Sequence, residues 1–222
     1  MNRVSEPVVS PAKSADPEGV FRLNADGMVT DFLFCGPFPS VGSGAAAEGF
    51  ERDFLEGESA ALPQAGQEHR AVFAAEGASP GANAWSGGAA GRRELVLSWQ
   101  SITVSDDMPR LGEQLPGLFA TEQVAYYVAC YVELEQDQFV RIGVGSDGGF
   151  KLWVNGRYTG GANVSRGLGV GTNHHLVPLL SGRNLVLLKV IQGGGPSGWS
   201  LRLTSEDGHP IHAARIRLSS PH

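Results

Sequence analysis

The run FVRIGVGSDGGFKLWVNGRYTGG, residues 139–161, restricts what this chain can fold into more than any other part of it. Phe139, Arg141, Gly143 and Gly145 alternate with Val140, Ile142 and Val144, the period of a strand with one buried face. The chain then reverses at Ser146-Asp147-Gly148-Gly149, where Asp can hydrogen-bond the turn backbone and Gly accepts unusual torsions. Phe150-Lys151-Leu152-Trp153-Val154 supplies a second strand. Asn155-Gly156 is the dipeptide most favoured for a two-residue type I′ hairpin, so Arg157, Tyr158 and Thr159 open the return strand. The whole run predicts an antiparallel meander.

The rest of the chain extends this pattern. With 31 Gly, 13 Pro and only 18% charged residues among 222, few segments run long without a breaker, which points to a turn-rich all-β protein. Strand-like segments occupy 123–134, 138–145, 150–155, 174–180, 184–192 and 199–205, with 213–218 as a last candidate. Their spacing predicts an all-β, antiparallel β-sandwich or jelly roll. Upstream, 21–23 and 29–35 bracket the Asp26-Gly27 turn signal as an expected first hairpin. Residues 94–104 read as one strand, and 111–119 as a loop with a turn of helix. Residues 1–18 have the composition of an extended arm or linker. The expected organisation is therefore an arm over 1–18 and one sandwich domain over 19–222. Within it, about 40–91 forms a long irregular insertion, either a functional loop or a segment lying across the sandwich.

Composition also removes classes of partner. The net charge is -6, and the 17 Lys and Arg are scattered without a basic stripe, which argues against nucleic acid and against membrane surfaces. No apolar run reaches the length of a membrane-spanning helix, and the N-terminal residues lack the apolar core of a signal peptide. The expectation is a chain that is cytoplasmic or whose export signal has been removed, and localisation stays open. Cys35 and Cys130 both sit in apolar strand-like runs, where a buried free thiol is the commoner state.

Catalytic signatures are missing: no GxSxG elbow, no phosphate-binding GxxxxGK[ST] loop, no HExxH. His174-His175 is the best metal pair by composition, yet neighbours on a strand point to opposite faces, so one packed and one solvated imidazole is expected. Asp106-Asp107 and the Glu51/Asp53 pair read as solvated loop acids. The glycine run 193–195 ends a strand without a following helix to build an anion site. No cofactor is indicated. Many jelly rolls carry a structural calcium, but no clustered Asp/Glu set is visible for one.

The aromatic and polar set is more informative. Trp85, Trp153, Tyr158 and Trp199, with Asn155, Arg157, Asn163, Asn173 and Gln192, are side chains of the kind that bind sugars, rings against a pyranose face and amides or guanidinium to its hydroxyls. Against this, Trp153 lies mid-strand between Leu152 and Val154 as a core residue would, and Asn155 is accounted for by the hairpin. Arg157 and Tyr158, just past the turn, are expected to be exposed.

In order along the chain, DFLFCGPFPS, GFERDFLEGE, LSWQSI, the 124–168 segment with GSDGGFKLWVNG, and LLSGRNLVLLKVIQGGG with GWSLRLTSEDG resemble bacterial galactose-binding-like jelly-roll modules. These are akin to the sugar-binding domain of family 2 glycoside hydrolases. The resemblance covers about residues 20–208. It implies a noncatalytic sandwich appended to secreted or surface enzymes, with any binding surface formed by loops at one end. Here those loops would include 158–172 and 193–198, giving Arg157, Tyr158, Asn163, Arg166 and Asn173 as candidate ligand-binding residues. The expected function is carbohydrate binding or docking of an enzyme onto polysaccharide. The alternative is a structural or assembly module that self-associates or packs on a partner through its sheet faces and N-terminal arm.

Overall fold

The alternating side chains of 139–145 do line a core, and the rest of the chain is built around it. A computed structural model describes residues 19–40, 48–74, 92–104, 109–115, 122–195 and 197–220. Its strands are β1 (Phe21–Arg22), β2 (Asp31–Pro39), β3 (Glu68–Ala74), β4 (Arg92–Ser98), β5 (Gln100–Thr103), β6 (Val124–Leu134), β7 (Gln138–Ser146), β8 (Gly149–Val154), β9 (Arg157–Ala162), β10 (Asn173–Leu179), β11 (Gly182–Gln192), β12 (Trp199–Thr204) and β13 (Arg215–Arg217), with one short helix α1 (Leu111–Gln114). The protein is an all-β, antiparallel β-sandwich. One sheet has eight strands in the order β1-β13-β6-β11-β8-β9, with β2 beside β6 and β5 beside β2; the facing sheet is β10-β7-β12, and β3-β4 form a separate ribbon.

The inner core is shared by the two sheets. Val140, Ile142 and Val144 of β7 meet Tyr126, Val128 and Cys130 of β6 and Val186, Leu188 and Val190 of β11. The alternate residues of the same large-sheet strands, Tyr127, Ala129, Leu185, Leu187 and Trp153, lie in a second core on the outer face with Phe54, Leu55 and Trp99. A sheet buried on both faces needs apolar residues at nearly every position, which explains the runs VAYYVACYVEL and LVLLKVIQ, interrupted only by Glu133, Lys189 and Gln192.

The cover for that outer face comes from the expected insertion. Residues 48–67 form a strap with two short 3-10 turns, Glu48–Phe50 and Glu58–Ala60, and β3 and β4 continue it as the ribbon. Asp53 holds the strap in shape, its carboxylate accepting from the backbone N–H groups of Leu55, Gly57 and Glu58. Residues 48–67 therefore lie across the outer face of the large sheet, while 41–47 and 75–91 lie outside the described residues.

Two expected elements differ. The first hairpin does not form: β1 pairs with β13 near the C-terminus, and β2 pairs with β5 and β6. The Asn24 side chain instead closes a local turn by accepting from the N–H groups of Asp26 and Met28. The expected strand over 94–104 is two strands that part at Trp99, β4 in the ribbon and β5 in the large sheet. The indole of Trp99 is buried with strap residues Phe54 and Leu55, and at the break its backbone bonds Gly66 and Gln67. The arm over 1–18, Asp106-Asp107 and Trp85 lie outside the described residues.

The turns are set by close approaches. At Gly148 an added Cβ would overlap the carbonyl oxygen of Ile191 and stand 2.6 Å from Gln192 Oε1. Asn155 and Gly156 both have positive φ, 50° and 77°, as the type I′ hairpin requires. The Asn155 amide also bonds Asn184 Oδ1 at 2.9 Å and accepts from the N–H of Leu185 at 2.8 Å, tying the hairpin to β11.

Candidate functional site

The five residues singled out from the sequence do not come together. Arg157 and Tyr158 stand at the Asn155-Gly156 end of β9, whereas Asn163, Arg166 and Asn173 stand beyond its other end. At about 3.3 Å per strand residue the six residues of β9 separate the groups by roughly 20 Å. The cause is that 157–162 is a strand, so the loop expected over 158–172 begins only at 163.

At the far end the polar groups serve the turns. Arg166 donates from its backbone N–H to the Asp147 carbonyl at 2.8 Å and from Nε to the Ser146 carbonyl at 3.2 Å. Asn173 Nδ2 donates to the Val144 carbonyl at 2.9 Å. The Asp147 carboxylate accepts from Gly198 N–H at 3.1 Å; burial raises its pKa, opposed by backbone hydrogen bonds and Arg110. Trp199 is fully buried, edge-on to Phe32 and Tyr126. These contacts engage Arg166 and Asn173 with the turn backbone, and Asn163 is half-buried.

The near end is more open. Tyr158 is 53% exposed and pairs across the hairpin with buried Trp153, the rings meeting edge-on at 5.9 Å between centroids. A register shift in β9 between the partners of Leu152 and Trp153 brings Gly161 beneath the phenol, where an added Cβ would stand 2.9 Å from the Tyr158 hydroxyl. The result is a braced aromatic ring over bare backbone, on the face that carries the strap. The hairpin and strap are in close contact, since no side chain fits at Gly156 against the Ser59 carbonyl.

On the same face, a cavity of about 230 Å³ is lined by Leu55, Glu56, Gly57, Leu62, Gln67, His69 and Trp99, among others. His69 Nε2 accepts from the Trp99 indole N–H at 2.9 Å, and burial lowers the imidazole pKa while Glu56 opposes the shift. Neither Glu56 nor His69 stood out in the sequence, because loop and ribbon residues carry no periodic signal.

Beneath the strap lies Lys189, in the middle of β11 and fully buried. Its ammonium bonds Glu58 Oε1 at 2.6 Å and the carbonyl of Arg52, and Tyr127 donates to the same Glu58 oxygen at 2.6 Å. Burial lowers the Lys189 pKa and Glu58 opposes that. A lone Lys inside LVLLKVIQ was the available signal. With Phe54 and Tyr127 rings around it and strap carbonyls satisfying it, the group is a pin with no approach for a substrate.

His174 is exposed and His175 half-buried against Phe150, the divergence that adjacent strand positions require. Glu51 pairs with Lys151 at 3.3 Å. Among the described residues, no three His, Cys, Asp or Glu side chains gather as a metal site requires, and no helix is long and apolar enough to cross a membrane. No family model and no curated protein matches the chain.

Proposed function

We propose that the chain is a noncatalytic sandwich module that contacts carbohydrate, of the galactose-binding-like kind its motifs resemble. The observation that carries this is Tyr158: an exposed ring, held edge-on by Trp153 over the bare backbone of Gly161. A fixed ring loses little entropy when an apolar sugar face lies against it. Arg157, the preceding residue of β9, is exposed but pairs with Val154 of the inner core and points to the other face, so the ring carries the contact. Binding of soluble polysaccharides by affinity electrophoresis tests it. Retardation by at least one polysaccharide is expected, and Tyr158→Ala is expected to lower affinity about tenfold at an unchanged melting temperature. Equal migration of wild type and variant with every polysaccharide removes the proposal.

A second proposal, self-association, has its own observation. On the outer face of the small sheet Phe139 is 53% and Leu176 49% exposed, on paired strands β7 and β10. Adjacent exposed apolar side chains mark contact surfaces. Sedimentation of wild type against Leu176→Asp distinguishes it: a dimer dispersed by the substitution supports assembly, a monomer in both excludes it.

A further inference from the structure

We propose that the cavity between the strap and the ribbon is a binding site for a single neutral, hexose-sized polyol ring, such as the terminal residue of a glycan. This rests on the carbohydrate proposal above and adds to it a location distinct from Tyr158.

The chemistry of the lining selects the ligand. A neutral imidazole that accepts at Nε2 carries its proton on Nδ1, and His69 accepts there from the Trp99 indole; no described residue accepts from its Nδ1. Gln67 Oε1 accepts from the backbone N–H of Gln64 at 3.3 Å, which leaves the two amide hydrogens on Nε2 as donors. Glu56, exposed on the rim, brings a carboxylate that accepts from two hydroxyls at once. Two kinds of donor and one acceptor around a single cavity match adjacent hydroxyls, each of which both gives and receives. Leu55 and Leu62 supply apolar surface for the ring's C–H edges.

Size and charge narrow it further. At about 230 Å³ the cavity is below the range of roughly 300–1,000 Å³ of sites for drug-sized ligands, so it admits one small ring and leaves the remaining glycan outside. A carboxylate on the rim disfavours anionic sugars. A lone metal ion is disfavoured as well, because one carboxylate and one imidazole make an incomplete ligand set. The strap backbone is held at Leu55 and Gly57, on either side of Glu56, by the Asp53 carboxylate, so the lining is formed before any ligand arrives.

The Trp99 indole N–H, bonded to the cavity's own histidine, is a built-in reporter. The test is a titration of the intact chain with D-galactose, D-glucose and D-mannose, followed by the Trp99 indole signal in ¹⁵N–¹H spectra and assigned with Trp99→Phe. The expected result is a saturable shift with at least one hexose at millimolar strength, as a few hydrogen bonds on a small ring allow. It is expected to weaken tenfold or more in Gln67→Ala and in Glu56→Gln, both surface changes that keep the wild-type melting temperature. The inference is overturned if no hexose moves the Trp99 signal, or if both variants titrate like wild type. A chain retarded by polysaccharide through Tyr158 whose Trp99 signal stays still refutes the cavity site alone. A chain that neither polysaccharide nor hexose affects refutes both.

Discussion

Lys189 Nζ lies 2.6 Å from Glu58 Oε1, joining the centre of β11 to the strap 131 residues away in sequence. Removing one member of such a pair strands a buried charge, which costs about 3–5 kcal/mol, whereas replacing both can be close to neutral. Lys189→Met is therefore expected to destabilise by that amount in urea unfolding. Adding Glu58→Gln, which keeps an acceptor for Tyr127, is expected to restore at least half of the loss. Additive losses in the double variant would show that the two side chains do not interact.

Alkali is expected to unfold the protein. Burial raises the phenols of Tyr126 and Tyr127 well above the usual 10.0, Tyr131 to about 12, and the thiol of Cys130 from 9.0 to about 12. These groups stay protonated in the fold after the unfolded chain has ionised. Their stabilisation is complete below pH 9 and drains as pH climbs through 9 and then 10, by about 1.4 kcal/mol per unit for each group. Lys189, shifted downward, acts in the opposite sense below 10.5 and offsets one of them. Stability measured from pH 8 to 11 checks this; a flat profile contradicts it.

Gly148→Ala is expected to abolish stable folding or cost several kcal/mol, because the new methyl, in the β7–β8 turn, collides with the Ile191 carbonyl of β11. Gly194→Ala is the control, since nothing lies within 4 Å of a Cβ added there. Thermal melts of the two variants compare a collision with open space.

Cys35 and Cys130 are buried free thiols on opposite faces of the large sheet, one in each core. Ellman's reagent is expected to count two thiols in denaturant and react with neither on mixing with the native protein. A disulfide-linked peptide by mass spectrometry would refute the assignment.

Local chemistry was legible. Phe139 to Val144 alternate as the sandwich requires, Asn155-Gly156 makes its hairpin, and His174 and His175 diverge, because each depends on torsions and side-chain direction within a few residues. Less visible was which distant segments meet. The pairing of β1 with β13 spans nearly the whole chain, and nothing in Phe21-Arg22 encodes it. The five candidate site residues parted for the same reason: Arg157 and Tyr158 are exposed as expected, but β9 carries these two away from the other three.

From the sequence alone came the sandwich class and, β9 apart, the strand positions from 123 onward, since period-two patterning and glycine turns are local properties of the chain. Only the tertiary structure decided that the large sheet is buried on both faces, that the 48–67 strap is pinned by Lys189, and that Glu56, Gln67 and His69 surround one cavity. Those outcomes depend on packing between segments remote in sequence, where the energy of contact is set by partners that no local pattern names.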